Sequence, residues 1–294
     1  MNSTAKCKIL INSSAGALHH TSGPDELRAL IFELGLNAEV VTTESPDEMD
    51  SILRQVVADG EERVAVSGGD GTVSRAVQIL AKSQTALGIL PQGTANNFAN
   101  SLGLPMDLRS ALKALDDGIV RDIDLGFASG RYFTEASGVG LFADVLSAYG
   151  TGTNKNIIKG IYAIWQVFFS MKARRVKIRI DGKMHTQRAT ACIIANSKRM
   201  GEGIPVAPEA RLSDDQLDII IIGDLTRWEL IPYYLAFRDQ KQMTLPKVWT
   251  GTGREIVIEG PAKMKFHIDD QVVGATPVTV RSAPAALKVL APKR

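Results

Sequence analysis

Four times in the first half of the chain a short apolar run is followed by a segment with helical spacing. That alternation constrains the fold more than any other feature. Residues 8–11, bounded by Asn12, Ser13 and Ser14, read as a strand. Pro24 then opens a helix on which Leu27, Leu30, Ile31 and Leu34 fall at i, i+3, i+4, i+7, and Gly35 closes it. Residues 38–42 make a second strand. Ser45 and Glu48 form a capping box around Pro46, ahead of a helix with Met49, Ile52, Leu53 and Val56 on one face. Residues 63–66 are the third strand, and the helix after it carries Val73, Ala76, Val77 and Leu80. The fourth strand spans 86–90; one helix begins near Ala95 and another covers 107–116. This order predicts an α/β domain, a parallel sheet with helices on both faces. Ligands of such sheets lie beyond the carboxyl ends of the strands.

The second half reads differently. Residues 122–134 form a hairpin around Ser129-Gly130. Residues 176–180 and 190–195 are strands linked through Asp181-Gly182, and 217–222, 255–258, 263–268 and 278–280 are further strands. Helical periodicity is found only near 157–171 and 228–237. The expectation is a β-rich, sandwich-like C-terminal domain. A length of 294 residues suits two domains. The boundary falls near Asp122: an α/β domain over 1–122, a β-rich domain over 123–283, and a tail, 284–294, that packs back on the first.

Composition excludes several classes. Lys and Arg number 34 against 32 Asp and Glu, a balance of +2 that does not suit nucleic acid as a partner. Two cysteines, Cys7 and Cys192, cannot staple a fold of this size; both lie in strand-like runs and read as buried thiols in a reducing compartment. A spanning helix needs about 20 consecutive apolar residues. The longest run, 160–171, is shorter and contains Gln166, and the N-terminus has no signal-peptide core. The expected location is cytoplasmic, with membrane contact peripheral.

Two loops carry chemistry. Ser67-Gly68-Gly69-Asp70-Gly71-Thr72 lies between a strand and a helix, where glycines admit phosphate oxygens to backbone N–H groups and the helix start adds its positive dipole end. The Asp70 carboxylate would repel phosphate unless a divalent cation, magnesium by the oxygen donors on offer, stood between them. Pro91-Gln92-Gly93-Thr94-Ala95-Asn96-Asn97-Phe98 repeats the device at the next strand end, with Thr94 and Asn96 offering a hydroxyl and an amide to a nucleotide.

Gly69-Asp70-Gly71-Thr72 followed by Gly93-Thr94-Ala95-Asn96 resembles the bacterial diacylglycerol kinase catalytic-domain family, which includes sphingosine and ceramide kinases. Its fold is related to those of NAD kinases and 6-phosphofructokinases. The resemblance runs nearly the whole length. Asn12-Ser13-Ser14-Ala15-Gly16 is similar to the family's Asn-Pro-x-Ser-Gly turn, and Ser137-Gly138-Val139-Gly140 to the start of its second domain. Leu212-Ser213-Asp214-Asp215-Gln216-Leu217-Asp218 resembles its Asp-Gly-x-Leu-Asp signature, and Ile268-Asp269-Asp270-Gln271 falls where it writes Asp-Gly-Glu. Pro277 and the ending 286–292 also fit.

The resemblance implies an ATP-dependent lipid kinase of phospholipid metabolism. It would transfer the γ-phosphate to a hydroxyl of diacylglycerol, phosphatidylglycerol or a sphingoid or ceramide lipid. Ser67, Gly68, Gly69, Gly71 and Thr72 would hold phosphates, with Asp70 organising Mg2+. Thr42, Gly93, Thr94 and Asn96 would flank the nucleotide. Asp124 matches an acidic position behind the active site, and Leu212, Asp215 and Leu217 match a structural magnesium site. The lipid would lie in the cleft between domains. The partners implied are the lipid and an anionic membrane surface at the inner face of the membrane; a homodimer stays open. Two departures bear on activity. Gln271 stands where the family has its proposed general base, and an amide cannot accept the hydroxyl proton. Asn97 replaces a second carboxylate. Asp270 or Asp269 takes over, or a loose phosphoryl-transfer transition state needs little base help, or the protein is an impaired regulator that binds nucleotide or lipid. An NAD kinase-like metabolite kinase is a further alternative, disfavoured by Gly93-Thr94-Ala95-Asn96-Asn97-Phe98 and the full second domain.

Other signals carry less. Gly138-x-Gly140-x-x-Ala143 has no βαβ unit around it and no acidic residue about 20 positions on, as a dinucleotide fingerprint needs. His19 and His20 read as a solvated loop, His185 and His267 as strand residues. From Val145 to Ile180 there are seven basic residues and no acidic one: Lys155, Lys159, Lys172, Arg174, Arg175, Lys177 and Arg179. This is either a face for an anionic membrane or a helix packed on the β domain followed by a strand with a solvated basic side; the second reading is preferred.

Overall fold

The computed structural model describes residues 7–12, 23–149 and 168–293. The chain divides into two compact units, Met1–Asp124 with Pro284–Arg294, and Leu125–Ala283. In the first, β1 (Cys7–Asn12), β2 (Ala38–Thr43), β3 (Arg63–Gly68) and β4 (Ala86–Pro91) alternate with α1 (Pro24–Glu33), α2 (Pro46–Ala58), α3 (Asp70–Leu80) and the short α4 (Asn97–Ser101); α5 (Leu108–Asp117) follows. The strands are parallel in the order β2-β1-β3-β4. Chain order reverses at β1, so the carboxyl ends of β1 and β3 flank the switch point where ligands of such sheets bind. β4 is buried at every position because helices cover both faces, as its uninterrupted apolar run requires. The N-cap of α2 is half a capping box. Ser45 Oγ accepts the Glu48 N–H at 3.2 Å, but Glu48 Oε2 accepts from the Glu44 N–H at 2.7 Å and not from the cap residue.

The last strand, β16 (Val278–Ala291), is fourteen residues long, where the sequence suggests three. Its later half pairs parallel to β4 at Val289 and completes the first unit's sheet. A bend at Pro284-Ala285, with Ala285 at φ 46°, lets one strand serve both units.

β5 (Ile119–Ala128) begins in the first unit, and its last residues, in the second, form with β6 (Arg131–Phe133) the hairpin read from Ser129-Gly130. The Asp181-Gly182 turn joins β8 (Arg174–Ile180) not to 190–195 but to an intervening strand, β9 (Lys183–Ala189). One antiparallel sheet runs β12 (Val248–Gly253), β11 (Leu217–Ile222), β10 (Ala191–Ala195), β7 (Ala136–Gly140), β14 (Lys265–Ile268), β15 (Gln271–Ala275). Against it lie β9, β8, β13 (Glu255–Gly260) and the first half of β16, and Val139, Ile194, Ile219 and Phe266 meet Ile178, Ile180, Ile256 and Val280 in one core. The reverse face of the first sheet is also buried. Ile193, Ile220 and Ile222 pack with Tyr233 and Phe237 of α7 (Leu230–Arg238). Burial on both faces explains the unbroken apolar runs of β10 and β11. A further helix, α6 (Leu141–Tyr149), follows β7, so Gly138 and Gly140 sit on an antiparallel strand, not in a dinucleotide turn.

Of the basic stretch, Lys155 and Lys159 lie outside the described residues, as do His19 and His20. Lys172 precedes β8, and the other four lie on it, a strand with a solvated side. Val176, Ile178 and Ile180 point inward, Arg175, Lys177 and Arg179 outward, Arg179 pairs with Glu259, and Arg174 is 3.8 Å from Asp144.

Candidate active site

β3 ends at Gly68 and α3 starts at Asp70, with Gly69 as an N-cap that supplies no side chain. The Thr72 and Val73 N–H groups both bond the Gly69 carbonyl, so the N–H groups of Asp70 and Gly71 precede the first intrahelical bond. A Cβ on Gly71 would meet nothing within 4 Å. Gly68 and Gly69 are different. A Cβ on Gly68 would lie 2.6 Å from Thr72 Oγ1, which leans over it.

Gly69 faces the second loop, and a Cβ built on Gly93 would sit 2.5 Å from the Gly69 Cα. The two glycines meet backbone to backbone, and the Gln92 N–H bonds the Gly68 carbonyl at 3.0 Å. Asn96, with φ 49° in the left-handed region, clamps the second loop on itself. Its Oδ1 accepts the Gly93 N–H at 2.9 Å and its Nδ2 donates to the Gly93 carbonyl at 2.7 Å. Both ends of the amide are thus engaged within the loop.

Asp70 joins the loops a third time. Its Oδ1 accepts from the Phe98 N–H at 3.4 Å, at the start of α4. Burial raises the carboxyl above its usual range, while the backbone N–H groups of Phe98, Asn97 and Asn96 pull it down. A half-buried carboxylate between two phosphate-sized loops fits magnesium carried in with nucleotide phosphates, since that ion needs only one or two protein carboxylates. Nearby, Ser67 Oγ and Gln92 Nε2 are buried with no partner among the described residues, as expected where a polar ligand or water completes a site. Gln92 carries no signal in the sequence, because nothing in a lone Gln marks it as buried. Thr42 and Thr94 are exposed, Thr42 within 3.5 Å of an Arg28 guanidinium nitrogen.

Asp124, which matches an acidic position behind the active site, holds backbone. It is buried, and its Oδ1 accepts the Ala285 N–H at 2.8 Å, at the bend of β16. It positions the returning strand. At the positions matching a structural magnesium site, Leu217 is in the core and Asp215 is ion-paired with Arg254 at 3.3 Å; the two leucines could contribute only backbone carbonyls.

In the second unit, Asp269-Asp270 is the two-residue turn between β14 and β15. Asp270 and Gln271 are exposed, and Gln271 Oε1 accepts from Arg131 at 3.1 Å. Asp269, at φ 46°, turns inward. Its carboxylate accepts the N–H groups of Glu135 (3.0 Å), Ala136 (3.2 Å) and Thr134 (3.5 Å). Burial pushes this carboxyl up to about 7 against the pull of those three donors. His267 Nδ1 lies 3.1 Å from the Asp269 carbonyl, which can only accept, so Nδ1 carries the proton. Burial lowers His267 to about 4. Glu135, which sequence reading passes over, is buried and accepts the Gly201 N–H at 2.9 Å. The two cysteines are buried, and burial pushes Cys7 up to about 11 and Cys192 to about 12, which removes both from nucleophilic chemistry.

Residues 6–128 match the family model described as diacylglycerol kinase catalytic domain, and residues 151–291 that of a YegS C-terminal NAD kinase beta sandwich-like domain. Residues 6–128 thus carry a diacylglycerol kinase catalytic domain, and residues 151–291 a C-terminal domain of the YegS type. It is 28% identical to a Mycobacterium tuberculosis protein named diacylglycerol kinase, over 82% of this chain and 81% of that one. It is 24% identical to a Staphylococcus epidermidis diacylglycerol kinase over 98% and 92%. An uncharacterized Synechocystis protein is 26% identical, and the match spans 87% of this chain and 62% of that relative's length. A crystal structure from Bacillus anthracis shares the fold with a TM-score of 0.76 at 20% identity, covering 99% of this chain and 98% of that one. These two domain matches account for the α/β and sandwich architecture and, with relatives named diacylglycerol kinase, indicate a kinase.

Proposed function

We propose that the protein transfers the γ-phosphate of MgATP to a hydroxyl of a bilayer lipid. The observation that carries this is the pair of glycine loops held backbone to backbone at Gly69 and Gly93, with the Asp70 carboxylate between them, in a diacylglycerol kinase catalytic domain. The N–H groups at the start of α3 receive phosphate oxygens. Asp70 orders the magnesium that travels with them, which neutralises charge on the transferring group. Ser67, Gly68, Gly71, Thr72, Gln92 and the Thr42 and Thr94 hydroxyls line the nucleotide side. Asp124 and Asn96 hold backbone in place.

Gln271 cannot take a proton, and Asp269 is the better base of the two aspartates beside it. A carboxyl near 7 suits proton acceptance at neutral pH, and Oδ2, which accepts only the Thr134 N–H, keeps a lone pair for it. The lipid oxygen forms its bond to the γ-phosphorus as the bond to the β–γ bridging oxygen breaks. The hydroxyl proton passes to a carboxylate base, and ADP leaves. Diacylglycerol is the first lipid to test, because the named relatives carry that name; phosphatidylglycerol and sphingoid or ceramide lipids present the same hydroxyl chemistry. The enzyme would meet its substrate from the cytoplasm, at the inner face of the membrane. Gln271 and Asn97 favour a second reading, a regulator that binds nucleotide without turnover. The test is Asp70→Asn in a phosphorylation assay with MgATP and vesicle-borne diacylglycerol. Turnover by the unchanged chain and its loss in Asp70→Asn, with an unchanged melting temperature, support the proposal; equal turnover removes Asp70 from the mechanism.

A further inference from the structure

α7 is apolar on both sides. Its inner side, Tyr233 and Phe237, covers the sheet. Its outer side carries Ile231, Tyr234 and Leu235, at i, i+3, i+4, and Trp228 stands three residues ahead in the 3-10 turn Arg227–Glu229. These four are 59%, 56%, 40% and 78% exposed, although each is large and apolar enough to be core. Phe168, with its ring 6.1 Å from Trp228, and the exposed Phe169 extend the patch. Met243, exposed in the turn Gln242–Thr244 that contacts α7, extends it at the other end. Isolated exposed apolar residues need no explanation, but a contiguous set of this size marks an interaction surface.

Its border is cationic. Arg227 lies over the Phe169 ring at 5.7 Å and donates to the Phe169 carbonyl at 2.8 Å. Arg227, Lys172 and Lys241 have no ion-pair partner among the described residues, whereas the acids nearby are taken: Glu229 by Lys247, Asp239 by Arg238 and Asp224 by Arg188. A Trp and a Tyr beside aliphatic side chains, ringed by unpaired cations, match the interfacial layer of an anionic bilayer, where amphipathic rings and basic groups both find partners.

We infer that the outer side of α7, with Trp228 and the Phe168–Phe169 pair, docks the protein on an anionic lipid surface. This deepens the proposed function, and rests on it for the choice of a bilayer over a protein. It also moves the membrane-facing surface away from the basic strand β8, whose cations lie on a solvated sheet face.

The test measures binding and turnover separately. The full chain is sedimented with vesicles of phosphatidylglycerol and phosphatidylcholine, and with phosphatidylcholine alone. Trp228→Ala and Ile231→Ser, both solvent-facing, should weaken partition onto the anionic vesicles about tenfold each, the equivalent of losing most of one buried apolar side chain. Lys241→Gln should weaken it only at low salt. Phosphorylation of diacylglycerol in the vesicle should fall in parallel, while phosphorylation of a water-soluble short-chain diacylglycerol stays unchanged. Unaltered sedimentation of both apolar variants overturns the surface. So does conversion of a dimer to a monomer by Trp228→Ala, which would make the patch a subunit interface. Vesicle binding lost in the variants with no lipid phosphorylated by any form keeps the surface and refutes the kinase reading instead.

Discussion

The two glycine loops contain glycines with opposite tasks, and alanine substitution separates them. Gly93→Ala puts a Cβ 2.5 Å from the Gly69 Cα, a backbone atom that cannot rotate away. Relieving an overlap of that kind by shifting a packed loop costs about 1–3 kcal/mol. In a two-unit chain this lowers the melting temperature by roughly 4–8 °C for a mid-range cost of about 2 kcal/mol. Gly71→Ala meets nothing within 4 Å and lies in the first turn of α3, where alanine is the better helix former by up to about 1 kcal/mol. Its stability should be unchanged or slightly raised. Its methyl instead enters the space from which phosphate would approach the Gly71 N–H, so MgATP affinity should fall about tenfold or more, the cost of one charge-assisted hydrogen bond. Differential scanning calorimetry and nucleotide titration by isothermal calorimetry read the two effects independently. Gly93→Ala melting with the parent would refute the backbone-to-backbone contact. Gly71→Ala binding MgATP like the parent would refute the assignment of phosphates to the start of α3.

Three further outcomes follow from the buried polar groups. Asp124→Ala should cost about 2 kcal/mol by stranding the Ala285 N–H, while Asp124→Asn, whose carbonyl can still accept, should keep turnover; abolished turnover at an unchanged melting temperature would return Asp124 to the chemistry. His267 titrates near 4 when folded and near 6.5 when free, so its contribution is complete above pH 6.5 and is lost as pH falls through 4. The span corresponds to about 3 kcal/mol, and His267→Gln should flatten the thermal stability profile over that window; an identical slope would contradict burial of a neutral imidazole. If Asp269 is the base, the rate rises with pH through about 7, and Asp270→Asn leaves that limb in place, whereas a strong rate loss in Asp270→Asn assigns the role to the exposed neighbour.

The strands and helices of the first unit are legible because each apolar run is short, bounded by Gly, Pro or Ser, and separated by clear 3.6-residue spacing. Val73, Ala76, Val77 and Leu80 are all buried as their spacing requires. The strands that escape the pattern lack that contrast. β9 reads Lys-Met-His-Thr-Gln-Arg-Ala and is solvated along most of its length, and β12 and β15 carry glycines. β16 looks like three residues because Pro284 and Ala285 interrupt its pattern at the bend. At the site, the glycine loops and Asp70 are visible as motifs. Their contact is not, because it joins backbones 24 positions apart and leaves no side-chain signature. The same holds for Asp269, whose partners are N–H groups of residues 134–136, and for Asp124, whose partner is residue 285. A carboxylate that serves backbone at a distance looks, in sequence, the same as one that serves a substrate.

The most direct test of the central claim is transfer itself. The full chain is incubated with γ-labelled ATP, magnesium and, in separate vesicles, diacylglycerol, phosphatidylglycerol, ceramide and sphingosine, with NAD as a soluble control. The account predicts label in one lipid, at the free hydroxyl, and none in NAD. Label in NAD alone, or nucleotide binding with no labelled lipid, would contradict it.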